Sequence, residues 1–273
     1  MLGNRAAIRE GGQSEWAILF RLIAGGSPIP LRESTHQVVL ITGASRGVGA
    51  AAAVRLARQG CDIVVNYHSK RARAEGIAAE VRALGRHALL AQADLTNGFE
   101  VGAMLDSVGR EFGRLDVLIL NASGGLEKGK PAGYAMQLNL TAQVRLVDLA
   151  IKWMPRGGRI VFVTSHMAHF YAERGISGPY QPVAASKHAG EQALRARRVE
   201  LAKLGIELAV VSGDMIEGTI TPRLLERMDR GTTQARRDRV GPLPTVEDFA
   251  KAIALAATDE NPSGDTIFVG STL

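Results

Sequence analysis

A short apolar run, Val38 to Ile41, leads straight into Thr42-Gly43-Ala44-Ser45-Arg46-Gly47-Val48-Gly49 and then into a helical stretch from Ala50 to Gln59. This succession of strand, glycine turn and helix constrains the fold more than any other feature of the chain. Glycines permit backbone dihedrals closed to other residues and let a ligand approach the main chain. The first N–H groups of the helix have no intrahelical partner and point at whatever occupies the turn. Such a turn suits a pyrophosphate, and Gly43, Ser45, Arg46, Gly47, Val48 and Gly49 are expected to cradle a dinucleotide. A glycine triplet by itself would mark only a turn; its place between a strand and a helix gives it weight.

The same alternation continues to the end of the chain. Ile63 to Asn66, Ala88 to Ala91, Val117 to Leu120, Arg159 to Val163, Glu207 to Val211 and Thr266 to Val269 read as further strands. Between them, Arg73 to Leu84 and the stretches 98–112, 134–154 and 183–204 have helical length and periodicity. The expected fold class is therefore α/β, a Rossmann-type doubly wound parallel sheet in a single domain over 37–273. Residues 1–36 read as an N-terminal extension. Its apolar run, Glu15 to Ile23, is interrupted by Arg21 and is too short to span a bilayer. Arg5 and Arg9 precede that run as in a signal peptide, yet Glu10 and Glu15 intervene and no small-residue cleavage site follows, so an appended helix or an upstream translation start is preferred.

Composition narrows the classes further. With 46% hydrophobic and 22% charged residues the chain is ordinary globular, neither disordered nor membrane-spanning. Cys61 is the sole cysteine, which excludes an internal disulfide, a CxxC redox pair and a Cys-rich zinc site, and favours a cytoplasmic setting. The +6 net charge reads as a basic surface or a preference for a phosphorylated cofactor rather than nucleic-acid binding, since aromatics are 5% and no RNA-binding signature is present. No metal site and no membrane partner are expected.

The end of the second strand bears on which cofactor the turn takes. Dinucleotide sites for NAD place a carboxylate there for the ribose hydroxyls. The corresponding position is Tyr67, followed by His68, Ser69, Lys70 and Arg71. A carboxylate would repel a 2′-phosphate, whereas this basic, hydroxyl-bearing turn attracts one, and Arg46 can reach the same group. NADP(H) is the expected cofactor.

The spacing Thr-Gly-x3-Gly-x-Gly resembles that of the classical short-chain dehydrogenase/reductase family, and further segments resemble it in order over about 37–272. Asp94-Leu95-Thr96 looks like its adenine-contacting motif, and Asn121-Ala122-Ser123-Gly124 like its Asn-Asn-Ala-Gly. Asn139 matches the helix asparagine and Ser165 the catalytic serine. The resemblance implies that Asp94, Leu95, Asn121, Ala122 and Ser123 touch the cofactor, that Ser165 orients a substrate oxygen, and that Asn139 supports a proton-relay water. It also implies that Gly213, Met215 and Ile216 border the nicotinamide and that Thr219 meets a phosphate, although Ser212 replaces the family's proline and one extra residue precedes Thr219. The stretch 219–243 would be a substrate lid. Its Arg223, Arg227, Arg230, Arg236 and Arg237 read first as a solvated helix face and otherwise as a receiver for an acidic or acyl-carrier-bound substrate. A homodimer or homotetramer packed through 134–154 and 183–204 is implied as well.

The family's usual Tyr-x3-Lys is broken, because Lys187 is present and Val183 stands where the tyrosine belongs. Tyr180 lies one turn earlier, in a Tyr-x6-Lys arrangement. At about 100° per residue, seven residues return to within roughly 20° of the same helix face, at an axial displacement of about 4.5 Å from the usual position. Tyr180 is expected as the proton donor, with Lys187 holding the nicotinamide ribose and lowering the tyrosine pKa. The glycine turn and Ser165 look like ketoreductases, whereas the Tyr-x6-Lys spacing looks like divergent enoyl-acyl-carrier-protein reductases of the same superfamily. The expected activity is thus NADPH-dependent hydride transfer to a small-molecule carbonyl substrate. Enoyl-thioester reduction, or a nicotinamide-binding regulator whose catalytic turn has decayed, are the alternatives. His166 and His169 follow Ser165 and are expected to pack rather than to replace the tyrosine.

Because the βα pattern starts at Gln37, deleting residues 1–34 should leave folding and cofactor binding intact. Thermal melts with and without NADPH check this, and an insoluble or cofactor-blind truncation would contradict it.

Overall fold

Val38, Val39, Leu40 and Ile41 are all fully buried, as a strand covered on both faces requires. Val39 and Ile41 pack into one core layer, Val38 and Leu40 into the other. The computed structural model describes residues 36–176, 178–258 and 266–272, so the extension expected over 1–36 lies outside the described residues save for His36. Among the described residues seven parallel strands form one sheet: β1 (Val38–Ile41), β2 (Asp62–Tyr67), β3 (Ala88–Gln92), β4 (Val117–Leu120), β5 (Arg159–Ser165), β6 (Glu207–Gly213) and β7 (Thr266–Val269). Their order is β3-β2-β1-β4-β5-β6-β7. This is the Rossmann-type sheet read from the sequence, with β6 running on through Ser212 and Gly213. The chain reverses direction across the sheet between β1 and β4, and a crevice opens beyond the carboxyl ends of these strands.

One face is covered by α1 (Gly47–Arg58), α2 (Arg71–Ala83) and, at the far end of the chain, Val246–Thr258. The first and last of these pack on each other, and both contribute small residues to this core layer, Ala52, Ala53 and Ala57 from one and Ala250, Ala254 and Ala257 from the other. On the other face α3 (Gly98–Phe112) starts at Asn97, whose side chain accepts from the Phe99 and Glu100 N–H groups, and ends at left-handed Gly113. The expected helix over 134–154 is subdivided into α4 (Tyr134–Met136), a π turn (Gln137–Thr141), α5 (Ala142–Ala150) and a short 3-10 turn (Ile151–Trp153). Two short helices, α6 (His166–His169) and α7 (Tyr171–Arg174), then precede α8 (Gln181–Ala196) and α9 (Arg198–Lys203). The lid stretch forms α10 (Ile220–Met228) and α11 (Thr232–Val240) before the final helix, α12 (Val246–Thr258).

The π turn explains a glycine in α8. A Cβ on Gly190 would stand 2.2 Å from the Asn139 carbonyl oxygen, so α8 rests on the π turn only because this position lacks a side chain. Gly190→Ala should therefore cost about 1–3 kcal/mol, the usual scale of overpacking. At about 2–4 °C per kcal/mol the melting temperature should fall by several degrees. An unchanged melt would show that the close approach is not maintained in solution.

Candidate active site

At the carboxyl ends of the strands lies a cleft of about 1490 Å³. The glycine turn forms one wall. Gly43 and Gly47 take positive φ, +65° and +56°, and a Cβ on Gly49 would stand 2.6 Å from the Asn121 side-chain nitrogen. No side chain caps α1, so its first N–H groups are left for a ligand at the wall formed by Ser45, Arg46, Gly47 and Val48. Two polar residues that the sequence alone did not single out hold the turn. Asn66 accepts the Gly43 N–H at 3.1 Å through Oδ1 and donates to the Ala91 carbonyl at 3.1 Å. Thr42 accepts from the Asn121 and Ala122 N–H groups, both at 2.9 Å. The available signal was a polar side chain at the end of an otherwise apolar strand, a position that costs stability unless hydrogen-bonded.

His68, Ser69 and Lys70 are exposed on the rim beside Arg46, as the sequence suggested, and Arg73 joins them from the first turn of α2. Tyr67 borders this rim from within the core. Its ring is 2% exposed and its hydroxyl lies 3.4 Å from Gln92 Oε1, so the residue lines the cleft with its phenol engaged by Gln92. Strand alternation sends the Tyr67 side chain to the α1–α2 side. Asp94 and Leu95 line the same end. Burial opposes charge on Asp94, but the side-chain and backbone hydrogen bonds from Thr96 and the nearby His68 outweigh it and lower its pKa. Ala122 and Ser123 border the cleft beside Asn121, whose amide nitrogen donates to the Thr42 carbonyl at 2.9 Å.

Ser165, Tyr180 and Lys187 all line the opposite part of the cleft. Ser165 ends β5 and caps α6, its Oγ accepting from the Ala168 N–H at 3.3 Å and lying 3.1 Å from the Tyr180 hydroxyl. Tyr180 sits one residue before α8 with near-helical dihedrals, and Pro182 occupies the first turn, where its missing donor is harmless. Burial raises the Tyr180 pKa and the Ser165 bond partly offsets this. Lys187 is buried, which lowers its pKa to about 8, while Glu191 one turn on acts to raise it. Val183 packs against Tyr180 as an apolar wall. Asn139 also departs from expectation. Its side-chain amide donates to the Gly124 carbonyl and to Ser186 Oγ, both at 2.9 Å, and its oxygen accepts the Gly124 N–H at 3.2 Å. The side chain thus clasps the loop after β4 to α8 and is spent on that task.

His166 lies at the cleft wall with Nδ1 2.9 Å from Ser212 Oγ, and burial lowers its pKa to about 4. His169 is held by Glu191 at 2.7 Å. Gly213, Met215, Ile216 and Thr219 border the cleft as expected, but the Met215 N–H donates to Asp214 Oδ1 at 2.7 Å. Asp214 is gripped by Arg236 from α11, at 2.9 and 2.8 Å. Arg237 pairs with Glu217. These two lid arginines are therefore held in ion pairs, Arg236 at the cleft wall itself, whereas Arg223 and, unforeseen, Arg174 and Arg239 line the cleft without a carboxylate partner among the described residues.

A sequence profile described as short chain dehydrogenase matches residues 37–229. The chain belongs to the short-chain dehydrogenase/reductase family. Among curated relatives of this family, 1-cyclohexenylcarbonyl-CoA reductase of Streptomyces collinus is 33% identical over 87% of this chain and 85% of its own length. Hydroxynaphthalene reductase arp2 of Aspergillus fumigatus is 34% identical, but the match spans 47% of this chain and 50% of that protein. A short chain dehydrogenase from Burkholderia cenocepacia J2315, solved in complex with NADP, superposes with a TM-score of 0.76 at 28% identity over 86% of this chain and 96% of that one. The landomycin C-6 ketoreductase LanV, solved with NADP and rabelomycin, gives 0.70 at 26% identity over 87% and 96%. As a member of the short-chain dehydrogenase/reductase family, the chain is an oxidoreductase that works with a nicotinamide cofactor at the hydroxyl/carbonyl level. Among the described residues no helix is long and apolar enough to cross a membrane.

The cationic rim of Arg46, Lys70 and Arg73 should make NADPH bind at least about tenfold more tightly than NADH, about 1.4 kcal/mol. Titration of both cofactors measures this, and equal dissociation constants would contradict the assignment.

Proposed function

We propose that this chain is an NADPH-dependent ketoreductase with Tyr180 as its proton donor. The observation that carries this reading is the 3.1 Å approach of the Tyr180 hydroxyl to Ser165 Oγ, inside the cleft that Lys187 also lines. The glycine turn, the uncapped start of α1 and the basic rim fit a phosphorylated dinucleotide, with Gly43 to Gly49 at the pyrophosphate and Arg46, Lys70 and Arg73 at the 2′-phosphate. Bound there, NADPH supplies the hydride that reduces the carbonyl carbon.

The protein's own task is to manage the charge that develops on the carbonyl oxygen. Tyr180 gives its phenolic proton to that oxygen, and Ser165 donates a hydrogen bond to the same atom. Burial, which raises the Tyr180 pKa, keeps the phenol protonated and ready to donate. The Lys187 ammonium holds the cofactor ribose; the lowering of the Tyr180 pKa expected of it is not among the influences on that phenol, which are burial and the Ser165 bond. Val183 excludes water from one side of the phenol. Asn139, through Gly124 and Ser186, fixes the loop after β4 against α8 and so positions the site without entering the chemistry.

A second reading, reduction of an enoyl thioester, is favoured by the Tyr-x6-Lys spacing and by the name of the Streptomyces relative, a cyclohexenylcarbonyl-CoA reductase. Following NADPH absorbance with matched keto and enoyl thioesters separates the two. Keto turnover should dominate, and a clear enoyl preference would overturn the proposal in favour of the second reading.

The Lys187 pKa sets the expected pH dependence. The ammonium is present below about 8 and lost above it, while Tyr180 stays a phenol over the same range. For carbonyl reduction kcat/KM should therefore fall as pH rises through about 8. Lys187→Ala should lower the rate and abolish that limb. A limb that survives in the variant would assign the titration to another group.

A further inference from the structure

Among the described residues eight cationic side chains line the cleft against three carboxylates, so most of the chain's +6 excess is gathered on its walls. A concave site of one sign focuses its field on a ligand of the opposite sign. If the cofactor lies as proposed above, on which this inference rests, Arg46, Lys70, Arg73 and Lys187 are committed to it. Arg236 is neutralised by Asp214. Arg174, Arg223 and Arg239 remain, against Glu127, which turns one oxygen to the Gly125 N–H at 2.6 Å. They come from α7, α10 and α11, and none has a carboxylate partner among the described residues. Arg174 is held with its guanidinium 4.1 Å from the centre of the Phe170 ring, which fixes its position without using its charge.

Beside these arginines the wall is apolar. Tyr180, Val183 and Leu225 form a buried cluster with Leu126, Ile176 and Met215 packed against it. A carbonyl compound that reaches the Tyr180 hydroxyl therefore lies on hydrocarbon, while its far end meets unpaired guanidinium groups.

We propose that the substrate is amphipathic: an apolar chain or ring system carrying the carbonyl, with an anionic group remote from it that Arg174, Arg223 and Arg239 receive. Phosphate and carboxylate share the oxygen-pair geometry that guanidinium recognises. The phosphates of a thioester handle and a free carboxylate on the substrate are the two sources of that chemistry. Because the three arginines are exposed, their effect is collective and is screened by salt.

The test uses full-length protein saturated with NADPH and one ketoacyl group in three forms: its coenzyme A thioester, its neutral N-acetylcysteamine thioester, and a keto acid with a distal carboxylate. At least one charged form should exceed the neutral one in kcat/KM by about tenfold or more, and which one does so identifies the source. Arg223→Gln combined with Arg239→Gln should shrink that ratio to within about threefold, as should high salt. Binding of each form is measured in parallel by quenching of the bound NADPH fluorescence. Tighter binding of a charged form without turnover upholds the anionic class and rejects keto reduction. Equal binding and turnover of charged and neutral forms, or a ratio untouched in the double variant, overturns the anionic class whether or not ketones are reduced.

Discussion

Thr42 joins the two halves of the sheet at the point where the cleft opens. Its N–H donates to the Ile119 carbonyl at 3.0 Å, its hydroxyl donates to the same oxygen at 3.2 Å, and that hydroxyl accepts two N–H groups from the loop after β4. Its own carbonyl accepts from Asn121. The residue is fully buried, so water does not compete for these bonds and each is stronger than it would be at a surface. Everything downstream inherits this spacing. The glycine turn starts from Thr42, Gly49 fits against the Asn121 amide, and the loop carrying Ala122 and Ser123 leads to Gly124, where Asn139 takes over.

From Gly124 the constraint passes to the catalytic helix. Asn139 links that loop to Ser186, Gly190 lets α8 lie on the π turn, and Tyr180 and Lys187 are thereby set at the two ends of the first turns of α8. The tyrosine has moved toward the helix start compared with the usual family spacing, yet Ser165 still meets its hydroxyl. Valine at 183 makes this possible without a void, since it fills the wall that a tyrosine would otherwise supply. Glu191, 1% exposed and held by His169 and Arg195, places a fixed negative charge below Lys187 that favours the ammonium against the cost of burial.

The sheet was legible because its central strands are buried on both sides and read as nearly uninterrupted apolar runs between glycine and polar breaks. The glycine turn and the basic rim were legible because phosphate binding demands backbone N–H groups and cations at fixed places along the chain. Tyr67 does end β2 and border the cleft, but counting from Gly60 does not give which face its side chain takes. Asn139 was given to a proton-relay water, whereas its side chain is taken by Gly124 and Ser186; the Met215 N–H goes to Asp214, while the residue itself still borders the cleft. The break in the helix over 134–154 was missed because one helical period was read across it, whereas the π turn inserts a residue and shifts the apolar stripe at that point. Arg236 and Arg237 looked interchangeable with Arg223 in a basic stretch; only the carboxylates of Asp214 and Glu217, which the fold brings to the first two, tell them apart.

Tyr180 carries the central claim, and replacing its hydroxyl tests that claim most directly. Phenylalanine keeps the packing against Val183 and Leu225 and removes only the proton and the bond to Ser165. Tyr180→Phe should retain NADPH affinity while carbonyl turnover falls by roughly 10²- to 10⁴-fold, the range of acid–base assistance. Turnover close to that of the unaltered protein would show that the proton comes from elsewhere, with His166 or a water at the cofactor ribose as its source.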